Sequence, residues 1–162
     1  MIIRVVPERW YREFTDGADV PVYETPGAPF WQRHIFINIR NSRSIDPDRG
    51  VPLDGPHILK IQFDDVRGED EPRRQAFTPG IANRIVRFLL QCGFARPLYV
   101  NCSAGISRSG AVGLVLNRFV NRIWAPCEPD HARFFELNPQ IDANPRVVRI
   151  LTEACEAEPF PR

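Results

Sequence analysis

The stretch from Ala111 to Val120 is apolar nearly all round. A helix of that character has no face to give to water, so it has to lie at the centre of whatever this chain builds. The short apolar run Leu98-Tyr99-Val100 precedes it, separated only by the small, polar segment Asn101 to Gly110. A buried strand that passes through a tight loop into a buried helix calls for a layered α/β arrangement. Other segments agree. Ile35 to Ile39 and Ile58 to Phe63 are rich in β-branched and aromatic residues and read as strands. Thr78-Pro79 reads as an N-cap followed by a first-turn proline, Ile81, Ile85, Phe88, Leu89 and Cys92 follow at helical spacing, and Gly93 is a stop. A later helix starts near Asp130 and carries Phe134, Phe135 and Leu137. The last covers Pro145 to Glu156, with Val147, Val148, Ile150 and Leu151 inward. The expected fold is α/β, a central, mostly parallel sheet of roughly four or five strands flanked by helices.

A chain of 162 residues suits one domain with a real core, and 43% hydrophobic and 25% charged residues are globular values. The whole chain, 1–162, is read as a single domain in which residues 1–33 have no assignable role. The formal net charge of +1 lacks the basic excess of a nucleic-acid or membrane-surface binder, so neither partner is expected. No run approaches the roughly 18 apolar residues of a membrane span. Met1 to Arg9 lacks the apolar core and cleavage site of an export signal, which predicts a cytoplasmic protein. Cys92, Cys102, Cys127 and Cys155 are then thiols. They form no CxxC pair, so neither a zinc site nor any other cofactor is expected. Trp10, Trp31 and Trp124 read as packing residues, and Arg40 and Arg43 as solvent-exposed.

Cys102 and Arg108 stand in a CxxxxxR interval between the strand and the central helix. A helix N-terminus leaves backbone N–H groups without intrahelical partners, and a tight loop entering it aims further N–H groups at one point. Ser103, Ala104, Gly105, Ile106, Ser107 and Arg108 would cradle a phosphate in this way. Gly105 permits the dihedrals of such a loop. Arg108 offers a planar, permanently charged fork to two phosphate oxygens. Cys102 sits in the same positive field, which favours thiolate over thiol. Ser109 brings a hydroxyl beside the sulfur.

Cys102-Ser103-Ala104-Gly105-Ile106-Ser107-Arg108-Ser109 resembles the signature loop HCxxGxxRS of the protein tyrosine phosphatase superfamily, and the compact length resembles its dual-specificity branch. The resemblance covers about Ile35 to Ala154, including the segment Asn138 to Arg146, which is similar to the family's closing segment. It implies a cysteine phosphatase fold and a phosphorylated protein or peptide as substrate. It also implies a phosphocysteine intermediate and no metal. An aspartate upstream of the signature is implied as the proton donor. Asp65 matches that place, with Asp64 as the alternative and the run Glu69-Asp70-Glu71 behind both. One departure stands out. The family has His before the cysteine and this chain has Asn101, which hydrogen-bonds but carries no charge.

Within the signature, Ala104, Ile106 and Ser107 are uncharged, which points to protein or simple aryl phosphates rather than highly charged lipids. A phosphate-binding module without turnover is the alternative that Asn101 raises. Sulfur transfer and arsenate reduction use similar loops. A Cys–His pair with His34, His57 or His131 would leave Gly105 and Arg108 without a purpose.

Overall fold

The computed structural model describes residues 1–10, 33–43, 55–68 and 72–158. Trp31 and the run Glu69-Asp70-Glu71 lie outside them, as do residues 11–32 of the N-terminal segment. Among the described residues, strands β1 (Ile3–Pro7), β2 (Ile35–Arg40), β3 (Ile58–Gln62) and β4 (Leu98–Cys102) form one sheet in the order β1-β4-β2-β3, with every pairing parallel. Helix α1 (Pro79–Cys92) leads from β3 back to β4. Helix α2 (Arg108–Phe119) follows β4 and runs into a π-helical turn over Val120–Trp124. Helices α3 (Glu128–Leu137) and α4 (Pro145–Ala157) close the described chain. No helix among these residues is long and apolar enough to cross a membrane.

The chain is therefore an α/β protein with an all-parallel sheet flanked by helices. Parallel strands buried on both faces read as continuous apolar runs rather than as alternation, and all six residues of β2 are buried. One face, carrying Ile3, Val5, Ile37, Ile61, Leu98 and Val100, shares a single core with Ile85 and Leu89 of α1, Val112 and Leu116 of α2, and Val147 and Leu151 of α4. On the opposite face Tyr99 stacks between Trp10 (5.1 Å) and Phe36 (5.6 Å), with His34 edge-on to it.

Local signals explain most boundaries. The Thr78 hydroxyl accepts from the Ile81 amide at the start of α1, and the Gly93 amide donates to the Leu89 carbonyl at its end. Helix α2 starts three residues before the expected Ala111, because Arg108, Ser109 and Gly110 already complete its first turn. Arg40 is a correction to the solvent-exposed reading: it is 5% exposed in a central strand and pairs with Glu8. Val66 heads a stretch to Gln75 whose polar and charged residues read as an exposed loop, yet it is 1% exposed.

Strand β1 was not expected. Among the described residues it is an edge strand, and its second edge is sealed by side chains. Asn138 accepts from the Val5 amide (2.6 Å) and donates to the Ile3 carbonyl (3.0 Å), while Gln140 donates to the Val5 carbonyl (3.0 Å). Asn138 itself is anchored by a 2.7 Å bond to the Phe134 carbonyl at the end of α3. The segment after α3 thus holds β1 against β4.

Candidate active site

Residues Ser103 to Ser107 join the carboxyl end of β4 to α2, the place where open α/β sheets put their sites. β4 has β1 on one side and β2 on the other, so the loop sits between two strand ends. No side chain caps the start of α2. The amides there are turned to other use. Those of Ser109 and Ile106 donate to the Cys102 sulfur, and the Ser109 hydroxyl lies 3.0 Å from it. Cys102 is 2% exposed. Burial pushes its thiol up, but the Ser109 hydroxyl, the two amides and the Arg108 guanidinium together outweigh this and hold it below the ordinary cysteine range. A nucleophilic thiolate is what that environment favours.

Arg108 is buried under the loop and folded back along it. Its guanidinium donates to the Phe63 carbonyl at the end of β3 (2.8 Å) and to the Ser103 hydroxyl (3.3 Å). The rest of the fork remains for an anion. Gly105 is the one residue of the loop in the left-handed region, at φ 70°. A Cβ there would lie 2.5 Å from the Pro7 nitrogen and 2.6 Å from the Val6 carbonyl carbon. The loop is thus pressed against the end of β1, where only glycine fits. Gln140 adds a 3.3 Å bond to the Gly105 carbonyl. Ala104 and Ile106 lie at the surface of the loop.

The two candidate acids part company. The Val66 amide donates to the Asp64 carbonyl (2.9 Å), a three-residue turn with Asp65 at its apex. Phe63 and Val66 anchor the turn in the core on either side, Phe63 packing edge-on against Phe77. Asp64 faces away from the signature loop and accepts from the Ser42 amide (3.1 Å), the Ser42 hydroxyl and the Gln75 amide (2.9 Å). Burial raises its carboxyl, but these donors outweigh it and hold the group below the usual carboxylate range. Asp65 faces the loop. Its Oδ1 accepts from the Ser107 hydroxyl (2.9 Å) and from the Asn144 amide (2.6 Å). Of the two, Asp65 bonds the loop, and Asp64 ties the end of the strand to Ser42 and Gln75. The Ser107 side chain is the one that bonds Asp65, while the part expected of Ser107 in the loop is that of its backbone amide.

Asn101 does not reach into the loop. Its amide donates across the sheet to Asn38 at 3.4 Å, and both residues are 1% exposed. The histidines are engaged elsewhere: His34 with Tyr99, His57 with Arg96, His131 with Glu128 and Phe135. Asn144, Arg67 and Asp142 complete the surroundings of Asp65, and sequence reasoning gave none of them this role. The signals were Asn144 before Pro145, a helix-start pattern, and the resemblance of Asn138 to Arg146 to the family's closing segment, neither of which speaks of a bond to Asp65. Comparison with known proteins adds no identity: no family model and no curated protein matches the chain.

Proposed function

We propose that this chain is a cysteine-dependent phosphomonoester hydrolase of the protein tyrosine or dual-specificity phosphatase kind, with that superfamily's fold. The observation that carries the reading is a buried Cys102, solvated by the Ser109 hydroxyl and two loop amides, with Asp65 bonded to Ser107 of the same loop. In the first step the Cys102 thiolate attacks phosphorus. The S–P bond forms, the bond to the leaving oxygen breaks, and Asp65 gives that oxygen its proton. In the second step a water attacks the phosphocysteine and loses a proton to the Asp65 carboxylate. The S–P bond breaks, and the Ser109 hydroxyl receives the departing thiolate. Arg108 and the loop amides hold the equatorial oxygens throughout. Substrates are phosphorylated proteins or peptides, in keeping with the uncharged Ala104, Ile106 and Ser107.

The test is hydrolysis of p-nitrophenyl phosphate without added metal by wild type, Cys102→Ser and Asp65→Asn. Turnover lost in Cys102→Ser supports the mechanism. Turnover that survives this change refutes it. A second reading is a phosphate-binding protein without turnover. It is favoured by Asn101, whose side chain bonds Asn38 rather than the loop. A wild type that hydrolyses nothing yet binds a phosphotyrosine peptide would establish it.

A further inference from the structure

We propose that Asn144 is a positioning residue for the acid of this site. Its amide fixes Asp65 so that one carboxyl oxygen is held by the protein and the other carries the proton. The assignment rests on the phosphatase reading above.

Asn144 is fully buried, one residue before α4. Its Oδ1 accepts from the amides of Arg146 (3.0 Å) and Val147 (3.2 Å). That bonding fixes which way the amide points, since a flip would set an NH2 group against two N–H donors. The nitrogen is left facing the acid turn, and it donates to Asp65 Oδ1 (2.6 Å) and to the Val66 carbonyl (3.2 Å). The Asn144 backbone amide meanwhile donates to the Ser107 carbonyl at 3.3 Å. One side chain and its own backbone tie together the start of α4, the turn that carries the acid and the loop that carries the nucleophile.

The same Asp65 oxygen accepts from Ser107 Oγ, which in turn accepts from Arg67 (3.2 Å), and Arg67 pairs with Asp142 (2.6 Å). Two donors on Oδ1 make it the carbonyl oxygen of the protonated acid. Oδ2 is then the oxygen that bears the proton, gives it to the leaving group and takes one from water in the second step. A helix cap alone has no need of asparagine here, because serine and aspartate cap equally well. Asparagine alone adds to the capping oxygen a separate NH2 donor at this reach: aspartate has no donor, and a serine hydroxyl ends an atom short.

That difference makes the test. Asn144→Ser and Asn144→Asp both preserve a good cap. Both are assayed across pH with p-nitrophenyl phosphate, whose leaving group needs little protonation, and with phenyl phosphate, whose leaving group needs more. Asn144→Ser is expected to slow phenyl phosphate at least about ten-fold more than p-nitrophenyl phosphate. Asn144→Asp is expected to move the basic limb of kcat to higher pH, because a second carboxylate beside Asp65 keeps a proton on the pair. In an Asp65→Asn background, Asn144→Ser should add nothing for phenyl phosphate. Wild-type turnover lost in Cys102→Ser, with limb and leaving-group dependence unmoved in both Asn144 variants, overturns the assignment alone. A wild type without turnover, or turnover surviving Cys102→Ser, overturns the phosphatase reading and the assignment with it. Should the variants fail to fold, nitrogen-15 NMR of wild type decides. The Asn144 side-chain amide resonances should follow the basic limb of kcat with pH and stop moving in Asp65→Asn. Resonances that ignore pH overturn the assignment.

Discussion

Replacing Ser109 with alanine removes one contact from the Cys102 sulfur and leaves the rest of the loop in place. The hydroxyl lies 3.0 Å from the sulfur, and Ser109 is fully buried. Burial alone would push the thiol upward, so the low value of Cys102 depends on the donors around it, with the Ser109 hydroxyl first among them. A hydrogen bond to a charged group contributes about 1.5–3 kcal/mol. At about 1.4 kcal/mol per pKa unit, its loss should raise the Cys102 thiol by roughly one to two units. The direct assay is the pH dependence of alkylation by iodoacetamide, read at Cys102 by peptide mass spectrometry. The midpoint should move to higher pH in Ser109→Ala, and the phosphocysteine should accumulate, because the leaving thiolate has lost the same donor. An alkylation midpoint unchanged from wild type, in a variant that folds normally, would refute the claim that this hydroxyl sustains the thiolate.

Further outcomes follow from other parts of the structure. Gly105→Ala should abolish hydrolysis and lower stability by about 1–3 kcal/mol in urea unfolding, since φ 70° and a Cβ 2.5 Å from the Pro7 nitrogen cannot both be relieved. Asp64→Asn should retain turnover where Asp65→Asn loses it. The folded Asp64 carboxyl lies below its ordinary value, so its stabilisation is present above the unfolded pKa and fades as pH falls through the folded one. Urea midpoints of wild type and Asp64→Asn should therefore differ at neutral pH and converge in acid. Cys155, buried and pushed up to about 12, should resist alkylation in the native protein and react only after unfolding. Asn138→Ala strips β1 of two backbone bonds on its outer edge and should destabilise the protein by about 2–4 kcal/mol, measured by urea unfolding.

Much of this was legible in the sequence because it is written locally. Thr78-Pro79 and Gly93 delimit α1, and the all-round apolar run marks α2 as central. The Cys102-to-Arg108 interval lies between strand and helix, where an anion loop belongs. The resemblance already favours Asp65 over Asp64, but what turns Asp65 to the loop is not local. It is a three-residue turn whose flanks, Phe63 and Val66, are anchored in a core built from distant helices. β1 escaped for the same reason. Ile3-Arg4-Val5-Val6-Pro7 is short, holds a charge and ends in proline, and it is a strand only because Leu98 to Cys102 and Asn138 complete its bonding. Asn144 caps its helix in the structure, and its bond to Asp65 is not legible because sequence gives no view of what a buried amide faces on its other side.

The loop is backed by Val6 and Pro7 near one end of the chain, and its acid is tethered by Asn144 near the other. That arrangement has a consequence in time. On the proposed function, a ribosome-bound chain that has passed Arg108 holds nucleophile, clamp and acid, with the Ser107 hydroxyl as the tie of the acid to the loop, but lacks the buried amide of Asn144. Contacts between such distant segments form late in folding. On that function, the site would be complete only once both distant segments have docked, so its assembly would coincide with completion of the fold.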